Sequence, residues 1–374
     1  MIDFASALYL GMRHASRSLR PWDSLSAGVP AALEPSEGAQ MVASQVAALQ
    51  GREAATMGTS TLHLVWDLFS MSGTSGYAIY LDAGAYPILR WGVERAMARG
   101  AHTQQFRHHD ETALARALWR DRDRRLRPLV VTDGLCPGCG SVAPLREYVE
   151  HVRRGGGLLV VDDTQALGIL GHSPDVVAPY GQGGGGSLMW AEVDSPHVVV
   201  VSSMAKGFGV PAAVLSGSRA MVAKFEATSE TRVHCSPPSV ASLRAAERAL
   251  QINNTRGEIL RARLAGLVRR FRRQLATIGW VPDGGLFPVQ TISLPNEAHA
   301  MQLHAHLLER GMRTVLHRGR EGHGVKISVL INADHTQELV DGIANALAEE
   351  LKNIATRQAK LDRGLAAADA VGAG

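Results

Sequence analysis

The chain reads as an α/β protein, with a mostly parallel central sheet in a large domain and a smaller α+β domain after it. Three observations carry that expectation. Short β-rich segments (A-I-Y-L-D at 78–82, P-L-V-V-T-D-G at 128–134, L-L-V-V-D-D at 158–163, H-V-V-V-V-S-S at 197–203) alternate with helical periodicity, as βαβ units do. These segments are unbroken apolar runs without in–out alternation, so both sheet faces should be covered by helices. Each run also ends in a polar residue, Asp82, Asp133, Asp162 or Ser203. Those are the carboxyl ends of strands, where open α/β sheets gather ligands.

Residues 1–45 are irregular, with Pro/Gly punctuation over 26–38, and are expected to pack on the small domain. The large domain is expected over 46–245. An arginine-rich amphipathic pattern from about 240 to 278 predicts a long helix leading into the small domain, 246–355. There, L-F-P-V-Q-T-I-S-L (286–294) and G-V-K-I-S-V-L-I (324–331) read as strands, each followed by a helix. The tail 356–374, ending A-A-A-D-A-V-G-A-G, is expected to be disordered. The cluster G-Q-G-G-G-G-S (181–187) lacks the strand before and helix after of a dinucleotide loop, and reads as a flexible surface loop.

Composition narrows the function classes. With 374 residues and 45% apolar content, the chain can bury a large core. A formal charge of +4 arises from arginines interleaved with acids or apolar residues, as in R-D-R-D-R-R-L-R (120–127). Such patterns read as exposed helix faces and speak against nucleic-acid binding. No apolar run reaches ~18 residues and no signal-peptide core is seen, so a soluble, cytoplasmic protein with no membrane partner is expected. Three cysteines, an odd count, argue against a disulfide framework. Cys136-Pro-Gly-Cys139 has the spacing of a zinc half-site or redox pair, but no second pair of ligands at comparable spacing exists, so it reads as a turn and no metal is expected.

Lys206 carries the most chemistry. It is one of five lysines, and it follows the apolar run ending in Ser202 and Ser203, inside M-A-K-G-F-G-V. Upstream, another apolar run ends in Asp162 and Asp163. One strand ending in a carboxylate and another delivering an amine would together hold pyridoxal 5′-phosphate: the lysine forms a Schiff base and the carboxylate pairs with the pyridine nitrogen. A surface lysine at a strand end is the plainer alternative.

The string V-V-T-D-G … A-P-L … V-V-D-D-T-Q-A-L-G-I-L-G … S-S-M-A-K-G-F-G-V-P-A-A-V-L resembles the fold-type I pyridoxal-phosphate enzymes, and within them the α-oxoamine synthases. The resemblance runs from about residue 3 to 350. It implies that Lys206 bears the cofactor, that Asp162 meets the pyridine nitrogen, and that Asp133 and Ser203 contribute to cofactor binding. Gly58, Thr59 and Ser60 match the phosphate loop, where helix N-terminal N–H groups favour a dianion, although an ordinary turn and cap would use the same small residues. Tyr86, in Asp82-Ala-Gly-Ala-Tyr86-Pro87, stands where the family stacks a histidine on the ring. Phe106-Arg107-His108-His109-Asp110 matches an element read as structural. Ser236 matches a residue that reaches the partner subunit's phosphate, which implies a homodimer.

Departures concern substrate. Gln165 replaces the histidine of the family's D-x-x-H, and glutamine cannot shuttle a proton near neutral pH. Lys326 and Ser328 fall where the family's final strand carries two arginines, the second of which clamps a substrate carboxylate. Serine does not replace a bidentate guanidinium, so Arg318, Arg320 or Lys326 would have to compensate. The N-terminal glycine- and arginine-containing loop is also altered. The expected function is a carbon–carbon bond-forming transferase acting on an amino-acid-derived quinonoid and a second substrate such as an acyl thioester, with a diverged substrate in specialised metabolism. Alternatives are elimination and addition (annulation) on S-adenosylmethionine or a similar amino acid, an aminotransferase, and a non-catalytic protein on the same fold.

Overall fold

The computed structural model describes all residues except 37, 73–75, 295, 320–323 and 373–374, and no side chain at 72, 355 or 357–372. The chain forms two compact units. The larger comprises Leu8–Pro137 and Ser141–Ala262; the smaller comprises Met1–Ala7, Gly138–Gly140 and Arg263–Gly374.

In chain order the elements begin with strand β1 (Ile2–Asp3), helix α1 (Ala39–Leu49), β2 (Ala54–Gly58), α2 (Thr61–Ser72), β3 (Tyr77–Asp82), α3 (Pro87–Ala98), β4 (His102–Phe106) and α4 (Glu111–Arg120). They continue with β5 (Arg127–Asp133), α5 (Leu145–Arg154), β6 (Leu158–Asp162), α6 (Ser187–Trp190), β7 (Val198–Ser203), β8 (Ala213–Gly217), α7 (Arg219–Thr228) and α8 (Glu230–His234). The last are α9 (Val240–Ala276), β9 (Val289–Ser293), α10 (Glu297–Glu309), β10 (Met312–Arg313), β11 (Val315–Arg318), β12 (Val325–Leu330) and α11 (Gln337–Gly372).

The larger unit is built on a seven-stranded sheet in the order β2-β8-β7-β6-β5-β3-β4. Only β8 runs against its neighbours, β7 and β2. The apolar runs are explained by burial on both faces. Leu129, Val131, Val160, Val199 and Val201 belong to one buried cluster with Leu68, Phe69 and Leu89 of the covering helices. Val130, Leu159, Val161, Val198 and Val200 belong to another, with Leu114 and Tyr148. Period-two geometry sends alternate residues to opposite faces, and here each face finds its own apolar layer.

The smaller unit holds a three-stranded antiparallel sheet, β11-β12-β9, and a parallel pair, β1 with β10. Both strands read from sequence are present, as β9 and β12. The short β10 and β11 gave no periodic signal, because two and four residues are too few.

The boundaries differ from the expected ones in three places. Only Met1–Ala7 of the N-terminal segment joins the smaller unit, through the pairing of Ile2 with Met312, whereas residues from Leu8 belong to the larger. The units divide within α9, after Ala262, and a boundary inside a continuous helix leaves no turn signature in the sequence. Residues 356–372, expected to be disordered, continue α11.

The glycine cluster is also ordered, contrary to the flexible loop expected. Gly183 donates its N–H to Glu258 (2.8 Å) and accepts from Asn253 (2.9 Å). A Cβ on Gly184 would lie 2.5 Å from the Arg261 guanidinium. These glycines are needed for close approach and positive φ, not for looseness.

Candidate active site

Three parallel strands, β5, β6 and β7, bring their carboxyl ends side by side. Asp133 is the register partner of Asp162, and Asp162 that of Val201, so Ser203 extends just beyond. Thr164 ties the edge together: its N–H donates to Asp162 Oδ1 (2.9 Å), and its hydroxyl oxygen accepts the Ser203 N–H (2.9 Å). The chain then turns through Lys206, held by Met204 N–H to Ala212 O (2.9 Å) and Val210 N–H to Met204 O (3.0 Å). A Cβ on Gly207 would stand 2.5 Å from the Leu167 carbonyl, so only glycine lets this turn pack against the segment after β6.

One cleft is lined by Lys206, Asp162, Asp133, Ser203, Gln165 and Tyr86, together with Thr61, Ile88, Pro137 and Thr164. Residues separated by more than a hundred positions thus converge at the strand ends. Burial pushes the Asp162 carboxyl up, opposed by the Thr164 hydrogen bonds and the Lys206 charge. Burial likewise lowers the Lys206 ammonium, opposed by Asp162 and Asp133. A buried amine with a depressed pKa is neutral at a lower pH than an exposed lysine, which makes it a nucleophile. Asp163 points elsewhere: it accepts the Ser187 N–H (3.0 Å), and burial pushes it up to about 7.

Asp82 builds the loop that carries Tyr86. Its Oδ1 accepts from Gly84 N–H (2.6 Å) and His108 Nδ1 (2.7 Å); its Oδ2 accepts from His109 N–H (3.1 Å). A Cβ on Gly84 would meet His108 Nδ1 at 2.1 Å, so this approach demands glycine. Tyr86 caps α3, with Pro87 at the first helical position, and donates its N–H to Asp133 Oδ1 (3.2 Å). Burial works to lower the His108 pKa, but the hydrogen bonds and charges of Asp82 and Cys136 outweigh it and push it up to about 10. Cys136 lies at the start of a short turn, its N–H bonded to Ser141 O (3.0 Å).

Residues 13–347 match the family described as aminotransferase class I and II. The chain belongs to that family. Its members are pyridoxal-phosphate-dependent transferases. The chain is 30% identical over 310 residues to 8-amino-7-oxononanoate synthase of Halorhodospira halophila, covering 81% of this chain and 72% of that one. It is 32% identical to the same-named protein of Alkalilimnicola ehrlichii over 69% of this chain, but spans only 64% of that relative's length. Among solved structures, a serine palmitoyltransferase from S. paucimobilis superposes with a TM-score of 0.82 at 17% identity, covering 95% of this chain and 88% of that one. An 8-amino-7-oxononanoate synthase from Francisella tularensis gives 0.72, also at 17%, covering 94% and 98%. These structures share the fold-type I architecture.

The cleft fits the family's cofactor. Lys206 and Asp162 supply an amine and an acceptor on one lining, and Gln165 Nε2 has no hydrogen-bond partner among the described residues. Thr59 Oγ1 and Ser60 Oγ both turn to His63 Nδ1, at 3.0 and 2.8 Å, and it is Thr61, at the N-terminus of α2, that lines the cleft. Gly58, Thr59 and Ser236 line a second hollow with His63 and Arg232, so the fold does not bring Ser236 to Lys206 within one cleft.

The proposed substrate residues lie in the smaller unit. Ser328 is buried, and its hydroxyl is bonded to Thr291 Oγ1 (2.7 Å) and His317 Nε2 (2.9 Å). Lys326 Nζ stands 3.7 Å from Asp283, and Arg318 is exposed at the end of β11. Arg320 falls outside the described residues. The pattern missed His317, Thr61, Thr164 and Tyr9, whose hydroxyl donates to Gln165 Oε1 (2.7 Å). Thr164 alone had a signal, its place directly after the acid pair.

No helix among the described residues is long and apolar enough to cross a membrane.

Proposed function

We propose that the chain is a carbon–carbon bond-forming transferase of α-oxoamine synthase type, working as a cytoplasmic homodimer on an amino acid and an acyl thioester. The observation that carries this reading is the pairing of Lys206 and Asp162 on one cleft at the ends of β6 and β7. The named relatives supply the reaction class.

Pyridoxal phosphate would supply an electron sink for charge developing at the substrate's α-carbon. Lys206 would attach it covalently and afterwards hold or return a proton at Nζ. Asp162 would face the pyridine nitrogen; a cationic partner there would keep this buried carboxyl ionised. Tyr86, half-exposed, would offer its ring as a stacking face. Gln165 would bind without moving protons, which leaves proton transfer to Lys206 or water. Exposed Leu62, Trp66 and Trp91 on α2 and α3 offer apolar surface for a second copy.

Ser328 favours a second reading. Its hydroxyl is engaged by Thr291 and His317 and has no guanidinium to offer, so a carboxylate clamp at this position is replaced and a diverged amine substrate, with elimination and addition on S-adenosylmethionine as one alternative, stays in play. Incubating the cofactor-loaded protein with amino acids and acyl-CoA, or with S-adenosylmethionine, separates the two readings. Release of CoA thiol supports acyl transfer, and release of methylthioadenosine supports elimination. A keto acid with neither product would mean transamination.

A further inference from the structure

Where β6 ends, a side-chain hydroxyl takes over the bonding of the sheet. The last ladder bond between β6 and β7 runs from Asp163 N–H to Val201 O (2.8 Å). The next donor on that edge of β7 is the Ser203 N–H, which a continuing parallel strand would meet with a carbonyl. Here Thr164 Oγ1 accepts it at 2.9 Å. Ser203 Oγ in turn accepts the Ala205 N–H (3.2 Å), which opens the turn that carries Lys206. Thr164 therefore links the segment leaving β6 to the segment leading to the lysine.

The same residue grips the acid. Its N–H donates to Asp162 Oδ1 at 2.9 Å. A hydroxyl has one proton to give; with Oγ1 already accepting from Ser203, that proton makes the side-chain hydrogen bond that Thr164 gives Asp162. Burial works to push the Asp162 carboxyl up, and the Thr164 bonds and the Lys206 charge oppose it. Asp133, its register partner on β5, and Asp163, next in the chain, are acids and bring no compensating charge. Lys206 loses its charge on deprotonation, and burial favours that loss. Thr164 has no charge to lose, so its support is the part that does not titrate away.

We propose that Thr164 is a positioning residue that anchors the Asp162 carboxylate as a charged acceptor in the cleft and ties it to the turn bearing Lys206. The proposal rests on the cofactor reading above, in which Asp162 meets a pyridine nitrogen. Without the Thr164 hydroxyl, the buried carboxyl takes up a proton more readily, and a neutral carboxyl attracts a pyridinium far less. The loss therefore grows as pH falls and acts through Asp162 alone. A hydroxyl that merely propped up Ser203 would instead matter equally at every pH and whatever stood at 162.

The test uses the full-length protein as wild type, Thr164→Val, Thr164→Ser, Asp162→Asn and the Asp162→Asn, Thr164→Val double variant, with thermal melts to verify folding. The readout is the Kd for pyridoxal phosphate, titrated by visible absorbance from pH 6 to pH 8.5, which requires no substrate. Thr164→Val keeps the shape and should raise Kd about tenfold over wild type at pH 6, the scale of one hydrogen bond to a charged group. The ratio should narrow towards pH 8.5. Thr164→Ser keeps the hydroxyl and should bind as wild type does. Adding Thr164→Val to Asp162→Asn should change nothing further. A Thr164→Val Kd equal to wild type, a loss that is the same at every pH, or an equal loss in the Asp162→Asn background overturns the proposal. A wild type that binds no pyridoxal phosphate would defeat the cofactor reading itself, and the proposal with it.

Discussion

The strand ends of the larger unit and the small sheet of the other unit both carry residues singled out from sequence, yet they behave oppositely. At β5, β6 and β7 the side chains converge: Asp133, Asp162, Ser203 and Lys206 line one cleft, with burial moving the pKa values of Asp162 and Lys206 towards each other. At β9, β11 and β12 the polar groups close on themselves, Ser328 between Thr291 and His317 and Lys326 near Asp283. A parallel sheet delivers the ends of neighbouring strands to one edge, whereas paired antiparallel strands let neighbouring polar side chains satisfy one another.

The largest expected effect breaks the first region. Lys206→Ala removes the only lysine on the cleft's lining among the described residues and should lower turnover at least ~10³-fold, the cost of losing covalent catalysis, as read from steady-state rates. Asp162→Asn follows. It keeps the shape but cannot hold a pyridinium, so turnover should fall on the order of 10²-fold while Lys206 still forms the visible band. Activity near wild type would remove Asp162 from the chemistry.

A third prediction concerns the scaffold. His108, pushed up to about 10 from 6.5, is more basic folded than unfolded. Its contribution to stability is therefore complete below pH 6.5 and lost as pH rises through about 10. Asp82, held low against burial by its bonds to His108 and backbone N–H groups, contributes above its ordinary value and loses that contribution in acid. His108→Gln should cost about 1.5–3 kcal/mol at pH 6 by urea unfolding, with the gap narrowing towards pH 10. A gap independent of pH would show that the ion pair is not its source.

The smallest effect sharpens the contrast. Ser328→Ala should cost about 1 kcal/mol and leave the cofactor spectrum unchanged, because its partners are Thr291 and His317. A shifted spectrum would contradict that purely local role.

What could be read from sequence follows the same division. Asp162, Ser203 and Lys206 were legible because each terminates or follows an apolar run, and a parallel sheet delivers such ends to one edge. Thr61, which lines the cleft, stands one residue past the loop singled out from sequence, and hydroxyl-bearing neighbours look alike until Thr59 and Ser60 are seen turned to His63. Tyr9 and His317 were invisible: Tyr9 finds its partner 156 residues away, and β11 is four residues long. The glycine cluster misled because glycine serves tight packing as readily as flexibility, and only the contacts with Asn253, Glu258 and Arg261 distinguish them.

The most direct test of the convergent site is to load the protein with pyridoxal phosphate, reduce it with borohydride and identify the labelled peptide by mass spectrometry. The account predicts a single stoichiometric label on Lys206, lost in Lys206→Ala and retained in Asp162→Asn. A label on Lys224, Lys326, Lys352 or Lys360 instead, or no label at all, would contradict it.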